Sequence, residues 1–303
     1  MDEALPALGF SSTLKGGLVT FTGAYTGARR LFDLCGQSST EIEFAVKHNG
    51  EKAREYIAQD SNAWCGGTRS GLVSDLSGKK DLTAAKEAKR KLESSGFVSA
   101  LDLAVAEVIP RRGRIFSDEE GDWMMERKWE ITPFMRMVKA KTATNVLDLD
   151  VVFDANGGTS AKILDQYGSI IWSVIDILEA RGICCRVKYI MDSLNGIRGK
   201  SSGSVSSLVE IVVKEPGEYL APNLMAAVFQ TNFFRRLGFV LLVTAADSQK
   251  LETTDGLGSA RSYQEVIKVS PGKMMLTPGI LESGSVAKDI QNKLIECLKQ
   301  MRR

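Results

Sequence analysis

Histidine is almost absent. The 303 residues contain one, His48, in the polar stretch Lys47–Tyr56. A Ser-His-Asp triad and a multi-histidine metal centre both need more than that, so His48 reads as a surface residue. Cysteines number five (Cys35, Cys65, Cys184, Cys185, Cys297), with no CxxC among them. An odd count with two adjacent residues excludes a simple disulfide framework and a zinc site and points to free thiols in a reducing compartment. No run of eighteen apolar residues occurs, so no membrane-spanning helix is expected. The first residues carry the acids Asp2 and Glu3 and no basic region, so no signal peptide is expected. Charge of either sign is in small excess only, +2 overall. No strong global field draws the chain to nucleic acid, and any basic surface must be local.

The catalytic signatures of nucleotide and metalloprotease chemistry are missing too. There is no HExxH, no GxxxxGK[ST] and no GxGxxG. The nearest glycine run after a strand, Asp154-Ala155-Asn156-Gly157-Gly158, is too short to cradle a dinucleotide. Asp148 and Asp150 alternate on one face near the start of a strand, away from the usual ligand crevice, where they border solvent or pair with basic neighbours. Cys184 and Cys185 point to opposite strand faces and read as buried thiols. The expectation is a protein that is not an enzyme.

What is present is a β-α-β pattern. Val146–Phe153 reads as a buried strand. Ser160–Arg181 reads as a helix, with Ile163, Leu164, Tyr167, Ile170, Ile171, Val174, Ile175 and Leu178 on its apolar face. Thr159 or Ser160 caps it and Gly182 ends it. Further strands are expected at Cys184–Met191, Leu208–Lys214, Phe239–Ala245 and Tyr263–Val269. Helices are expected at Glu41–Gln59, Lys79–Glu93, Pro222–Leu237 and Val286–Met301. Asp192–Ser207 and Leu251–Ala260 read as polar, Gly-containing loops, the first of which lets its flanking strands pair as a hairpin. The fold class this implies is α/β: a Rossmann-like, mostly parallel sheet with helices on both faces. The division expected is a mixed α/β region over residues 1–140 and the α/β domain over 141–303.

That order resembles the von Willebrand A domain. In that family the first strand ends in D-x-S-x-S, the opening part of a metal-ion-dependent site, and a later acid in a TDG pattern follows the fourth strand. Here Asp154 matches the first acid, Asn156 stands for the first Ser and Gly158 for the second. Asp247, after the expected fourth strand, is the nearest later acid, while a displaced Thr254-Asp255-Gly256 lies in a loop. The resemblance implies a degenerate, empty site at Asp154, Asn156 and Asp247 rather than a resident cofactor. Mg²⁺ is the ion such oxygen donors would hold if the site were filled, and the favoured reading is that Asp154 is a helix N-terminal acid that suits the dipole.

Three further stretches carry a second resemblance: Ile175–Ile183, Val213–Glu218 and Phe233–Phe239, together with the turn Trp64-Cys65-Gly66-Gly67-Thr68. They are similar to a family of poorly characterised tailed-phage proteins. Within it the chain resembles the early single-stranded-DNA-binding factors of schitovirus-type phages, which recruit a phage RNA polymerase to early promoters. The resemblance implies single-stranded DNA and that polymerase as partners, no membrane, and a place in the host cytoplasm.

Sequence-tolerant binding of single strands needs cations along the backbone and aromatics for stacking. The candidates are Arg111, Arg112, Arg114, Trp123, Arg127, Lys128 and Trp129, interleaved with acids; Arg198 and Lys200 in a Gly-rich loop; and Arg235 and Arg236 at an expected helix end. The Lys79–Lys91 helix is a weaker basic face. The second functional expectation is an interaction module, an adaptor for an AAA+ ATPase that uses the crevice above Asp154 and binds no DNA.

Overall fold

A computed structural model describes residues 11–15, 18–24, 62–108, 146–153, 158–197, 204–218, 221–248, 251–253, 273–282 and 285–301. The fold is α/β and Rossmann-like. Its strands are β1 (Ser11–Lys15), β2 (Leu18–Ala24), β3 (Val146–Val152), β4 (Cys184–Ile197), β5 (Ser204–Lys214), β6 (Leu251–Thr253) and β7 (Lys273–Leu276). Its helices are α1 (Asn62–Cys65), α2 (Arg69–Ser74), α3 (Thr83–Ser94), α4 (Phe97–Val108), α5 (Ala161–Glu179), α6 (Pro222–Val228), α7 (Thr231–Phe233), α8 (Phe239–Ser248) and α9 (Val286–Met301).

The strands form one sheet in the order β1-β2-β5-β4-β3-β7, with β6 against the far end of β4. β3 pairs in parallel with β4 and β7, and β2 with β5. The β4–β5 hairpin, β1–β2 and β4–β6 are antiparallel. β1 and β2 place the described start of the chain in the same sheet as the second half, and Phe21, Leu72, Leu92 and Phe97 join the same core as α5.

α5 organises that core. The Ser160 hydroxyl accepts from Ile163 N and starts it, and Gly182 (φ 76°) follows its end. Tyr167, Ile171, Val174, Ile175 and Leu178 are fully buried. Gly168 lets the chain pass close by, because a Cβ there would lie 1.5 Å from Phe229 O. α3 runs along the outer side, where the Ser173 hydroxyl donates to Ala85 O (3.0 Å) and Lys89 pairs with Asp176 (2.6 Å). At the other end Lys214, 3% exposed, pairs with Glu179 (2.6 Å) and ties α5 to β5.

The two faces of the sheet differ in chemistry. One carries Leu147, Leu149, Val151, Phe153, Cys185, Val187, Tyr189 and Met191 into the main core. The other carries Asp148 and Asp150, Arg186 and Lys188, Glu210 and Lys273, and a small cluster of Val152, Ile190, Leu208 and Met275. Asp148 pairs with Arg186 (3.8 Å), Arg186 with Glu215 (2.9 Å) and Lys188 with Glu210 (3.4 Å).

Four expectations are corrected. Phe239–Ala245 is not a strand but most of α8, since a short, wholly apolar run has no period to separate strand from helix. Gly238, which follows the expected helix Pro222–Leu237 as its natural terminator, does not end a helix. It lies inside a π-helical turn, Phe234–Gly238, where a Cβ would meet Met191 Sδ at 2.6 Å, so the glycine serves a close crossing. The helix expected over Pro222–Leu237 is broken after Val228 and resumes at Thr231. Asp192–Ser207 is largely the two arms of the β4–β5 hairpin, because backbone pairing across it outweighs its polar composition. The Glu41–Gln59 helix and the Tyr263–Val269 strand lie outside the described residues, as do His48 and Cys35. Cys65, Cys185 and Cys297 are buried free thiols, whereas Cys184 is half-buried on the charged face.

No single described helix is long and apolar enough to cross a membrane. Pro222–Val228 and Thr231–Val243 together have the composition of a span but are bent by 58° and lie in the core.

Candidate functional site

Ligands of open α/β sheets bind beyond the carboxyl ends of the parallel strands. Here that edge lies where Phe153 leaves β3, Leu276 leaves β7 and α5 begins. Phe153 N donates to Ile190 O (2.8 Å), holding the strand end in register. Behind it Phe153 stacks on Tyr189 with ring centroids 4.8 Å apart, and Tyr167 packs at 5.1 Å.

The wall of this crevice joins two segments far apart in sequence. The turn Trp64–Thr68 is clamped by the α7 and π-helical segment Thr231–Gly238. Arg235 donates to Trp64 O and Thr159 O, and its guanidinium stacks 4.6 Å from the Trp64 ring. Arg236 donates to Gly67 O (2.9 Å) and Asn232 Oδ1 (2.8 Å). Asn232 Nδ2 donates to Thr68 O (3.0 Å). Thr231 N donates to Asp165 Oδ1 (2.9 Å), and the Thr231 hydroxyl to Ala161 O (3.0 Å). Successive residues of an α-helix diverge by about 100°; the wider π-helical turn lets both arginines reach the same loop. Burial pushes the Cys65 thiol up, with Arg236 and Arg235 pulling the other way, and burial also lowers the Arg235 pKa.

This corrects the reading of Arg235 and Arg236 as nucleic-acid contacts. They are 1% and 0% exposed, and they donate to the backbone carbonyls of Trp64, Thr159 and Gly67 and to Asn232. A phosphate cannot reach them while the clamp is closed. The sequence signal was ambiguous because arginine pairs serve both roles, and only the 171-residue separation between Trp64 and Arg235, closed by the fold, distinguishes them. Arg111, Arg112, Arg114, Trp123, Arg127, Lys128 and Trp129 lie outside the described residues, as do Arg198 and Lys200. Of the basic helix, Lys86, Arg90 and Lys91 are exposed on α3, with Lys91 paired to Glu87.

The expected later acid of the metal pattern is displaced. Asp247 belongs to α8, not to the end of a strand, so it is not the later acid. The strand beside β3, opposite β4, is β7: Leu276 pairs with Val151, and the chain leaves the sheet as Thr277-Pro278-Gly279. Gly158 offers no side chain, and Asp154 and Asn156 lie outside the described residues. Among the described residues no group of three His, Cys, Asp or Glu could hold a metal ion.

With that geometry in view, the family described as "Domain of unknown function (DUF7192)" matches residues 133–301, more than half of the chain. The chain belongs to that family. No curated protein and no solved structure matches it.

Proposed function

We propose that the chain is a von Willebrand A-like interaction module that binds a protein partner through the crevice at the carboxyl ends of β3 and β7, in the manner of an adaptor for an AAA+ ATPase. The observation that carries this reading is the strand order β5-β4-β3-β7, with a β-α-β unit at its centre and an antiparallel hairpin on one side. The β-α-β unit and the hairpin are the parts of that order present in the sheet, while α8 stands in place of the expected fourth strand. Ile163, 44% exposed, and the exposed Lys162 stand at the mouth, on the first turn of α5. The charge reversal Lys162→Glu with Ile163→Asp is expected to abolish co-elution with an AAA+ ATPase from the same genome and any change in its ATP hydrolysis. An unmodified chain that neither co-elutes with such ATPases nor alters their turnover rejects the reading. The free thiols at Cys65, Cys184, Cys185 and Cys297 suit the cytoplasm for such a protein.

A second reading keeps the expected role of a phage single-stranded-DNA-binding factor that recruits RNA polymerase. Its support is the phage-family resemblance together with Lys86 and Arg90, four residues apart and exposed on α3. It predicts binding to single-stranded oligonucleotides that weakens steeply across a salt series, and that Lys86→Glu with Arg90→Glu weakens further. Absence of single-strand binding at low salt removes it.

A further inference from the structure

Helices α1–α4 precede the family-matched residues 133–301, yet they pack as part of the same core. We propose that Asn232, Arg235 and Arg236 form a docking socket for the Trp64–Thr68 turn, and that this socket holds residues 62–108 on residues 158–301 as a bound partner within one folding unit. The ligand the socket fits is a glycine turn read through its main chain, supplied here by the same chain. The inference holds whichever partner the crevice binds.

The socket reads backbone. Arg235 donates to Trp64 O, Arg236 to Gly67 O (2.9 Å) and Asn232 Nδ2 to Thr68 O (3.0 Å). Arg235 also donates to Thr159 O, so one guanidinium grips both segments, as its planar fork permits. The turn presents glycine where a side chain would collide. A Cβ at Gly67 would lie 2.8 Å from Asn232 Nδ2, and one at Gly66 3.0 Å from Thr231 Cβ. Gly66 also has φ 74°, which glycine adopts without strain. The Trp64 ring anchors the turn between the Arg235 guanidinium and the Phe239 ring. Because both arginines are buried, removing the turn would strand charged donors away from water, a costly state.

Behind the socket the two segments share apolar packing and further ties. Leu72, Leu92, Phe97 and Leu101 lie in one core with α5 and α9. Asn223 Nδ2 donates to Lys80 O (2.6 Å), and Arg181 pairs with Asp102 (2.8 Å). Such an interface resembles a domain core cut in half, the character of an obligate partner. A folding unit that began at residue 133 would leave that core open and the socket empty, so the unit reaches back at least to the Trp64 turn.

The test uses the full chain in two measurements. Hydrogen exchange is followed at the α3 amides and at the β4 amides. In the unmodified chain both are expected to exchange through the same global opening. If α3 opens about tenfold faster than β4 there, the shared folding unit is overturned. Asn232→Ala removes the donor to Thr68 O and the acceptor of Arg236 without adding atoms. It is expected to speed α3 exchange about tenfold or more while β4 stays protected, and unchanged α3 exchange overturns the socket. Gly66→Ala and Gly78→Ala impose the same left-handed strain, but nothing lies within 4 Å of a Cβ at Gly78. Gly66→Ala is expected to speed α3 exchange well beyond Gly78→Ala, and equal effects overturn the socket. In the second measurement a protease site is inserted between Glu120 and Gly121, and the cut chain is run on gel filtration. The two pieces are expected to co-elute with the circular dichroism of the uncut chain, whereas their separation overturns the bound-partner reading.

Discussion

The two faces of the central sheet solve the same problem of period-two alternation in opposite ways. Toward α5, residues Leu147, Leu149, Val151, Cys185, Val187 and Tyr189 are all at most 0% exposed and are packed by helices. Toward the other side, Asp148, Asp150, Arg186, Lys188 and Glu210 alternate with them and are half-buried; Asp148 pairs with Arg186 (3.8 Å) and Lys188 with Glu210 (3.4 Å). Burial of apolar area is worth about 25 cal/mol per Å², while partly exposed ion pairs contribute about 1 kcal/mol or less. Stability therefore resides on the helix side, together with the polar clamp around Arg235 and Arg236. The charged side holds its own smaller apolar cluster at Val152, Ile190 and Leu208, so the sites that change at little cost there are its half-buried ion pairs.

The largest effect expected is on the helix side. Gly168→Ala drives a methyl group to 1.5 Å from Phe229 O, and backbone cannot yield as a side-chain tip can. A loss of about 4 kcal/mol, or failure to fold, is expected in chemical denaturation. A loss under about 1 kcal/mol would mean that α5 and the end of α6 shift freely, and the contrast between the faces would weaken.

Next comes the clamp. Arg236→Met keeps much of the volume but strands Gly67 O and Asn232 Oδ1. About 3 kcal/mol should be lost, since buried acceptors robbed of a charged donor are costly. A near-neutral result would place the arginines with the surface cations rather than with the core.

Tyr189→Phe should act in the opposite direction. The Tyr189 hydroxyl is buried and makes no hydrogen bond, so the fold bears its desolvation without return. Removing it is expected to raise stability by about 1 kcal/mol, read as a higher denaturation midpoint with the same slope.

The smallest effect belongs to the charged face. Burial raises the Asp150 carboxyl pKa, against the pull of Lys273 and Lys188 and with the push of Glu210 and Asp148, and its Oδ1 has no hydrogen-bond partner. A carboxyl raised in the folded state binds more protons there than in the unfolded chain. Its stabilising contribution is thus present below the ordinary carboxylate range and is lost as pH rises through the raised value. Asp150→Asn should flatten that part of the pH–stability curve and change neutral-pH stability by less than about 1 kcal/mol. An unchanged curve would assign the pH response to other groups.

Some elements could be read directly from the residues. α5 was legible because its period, its Ser160 cap and its Gly182 terminator agree, and α9 because Val286, Ile290 and Leu294 recur at four-residue spacing. α8 was not, since Phe239–Val243 is apolar on every side and its helical state is set by continuity with the π-helical turn before it. Of the candidate site, Gly158 was read as lacking a ligand side chain from sequence alone. Asp247 was misplaced for the same reason as α8: the strand it was thought to follow does not exist.

The sequence by itself determined the α/β class, the central β-α-β unit, the hairpin and the lack of a multi-histidine centre, because local periodicity, caps and residue counts do not depend on distant partners. Tertiary structure alone decided which strand lies beside β3, which side of the sheet is charged, and where Arg235 and Arg236 point. Those depend on pairing between segments up to about 170 residues apart, and on the desolvation that turns two apparent surface cations into the polar lock of the core.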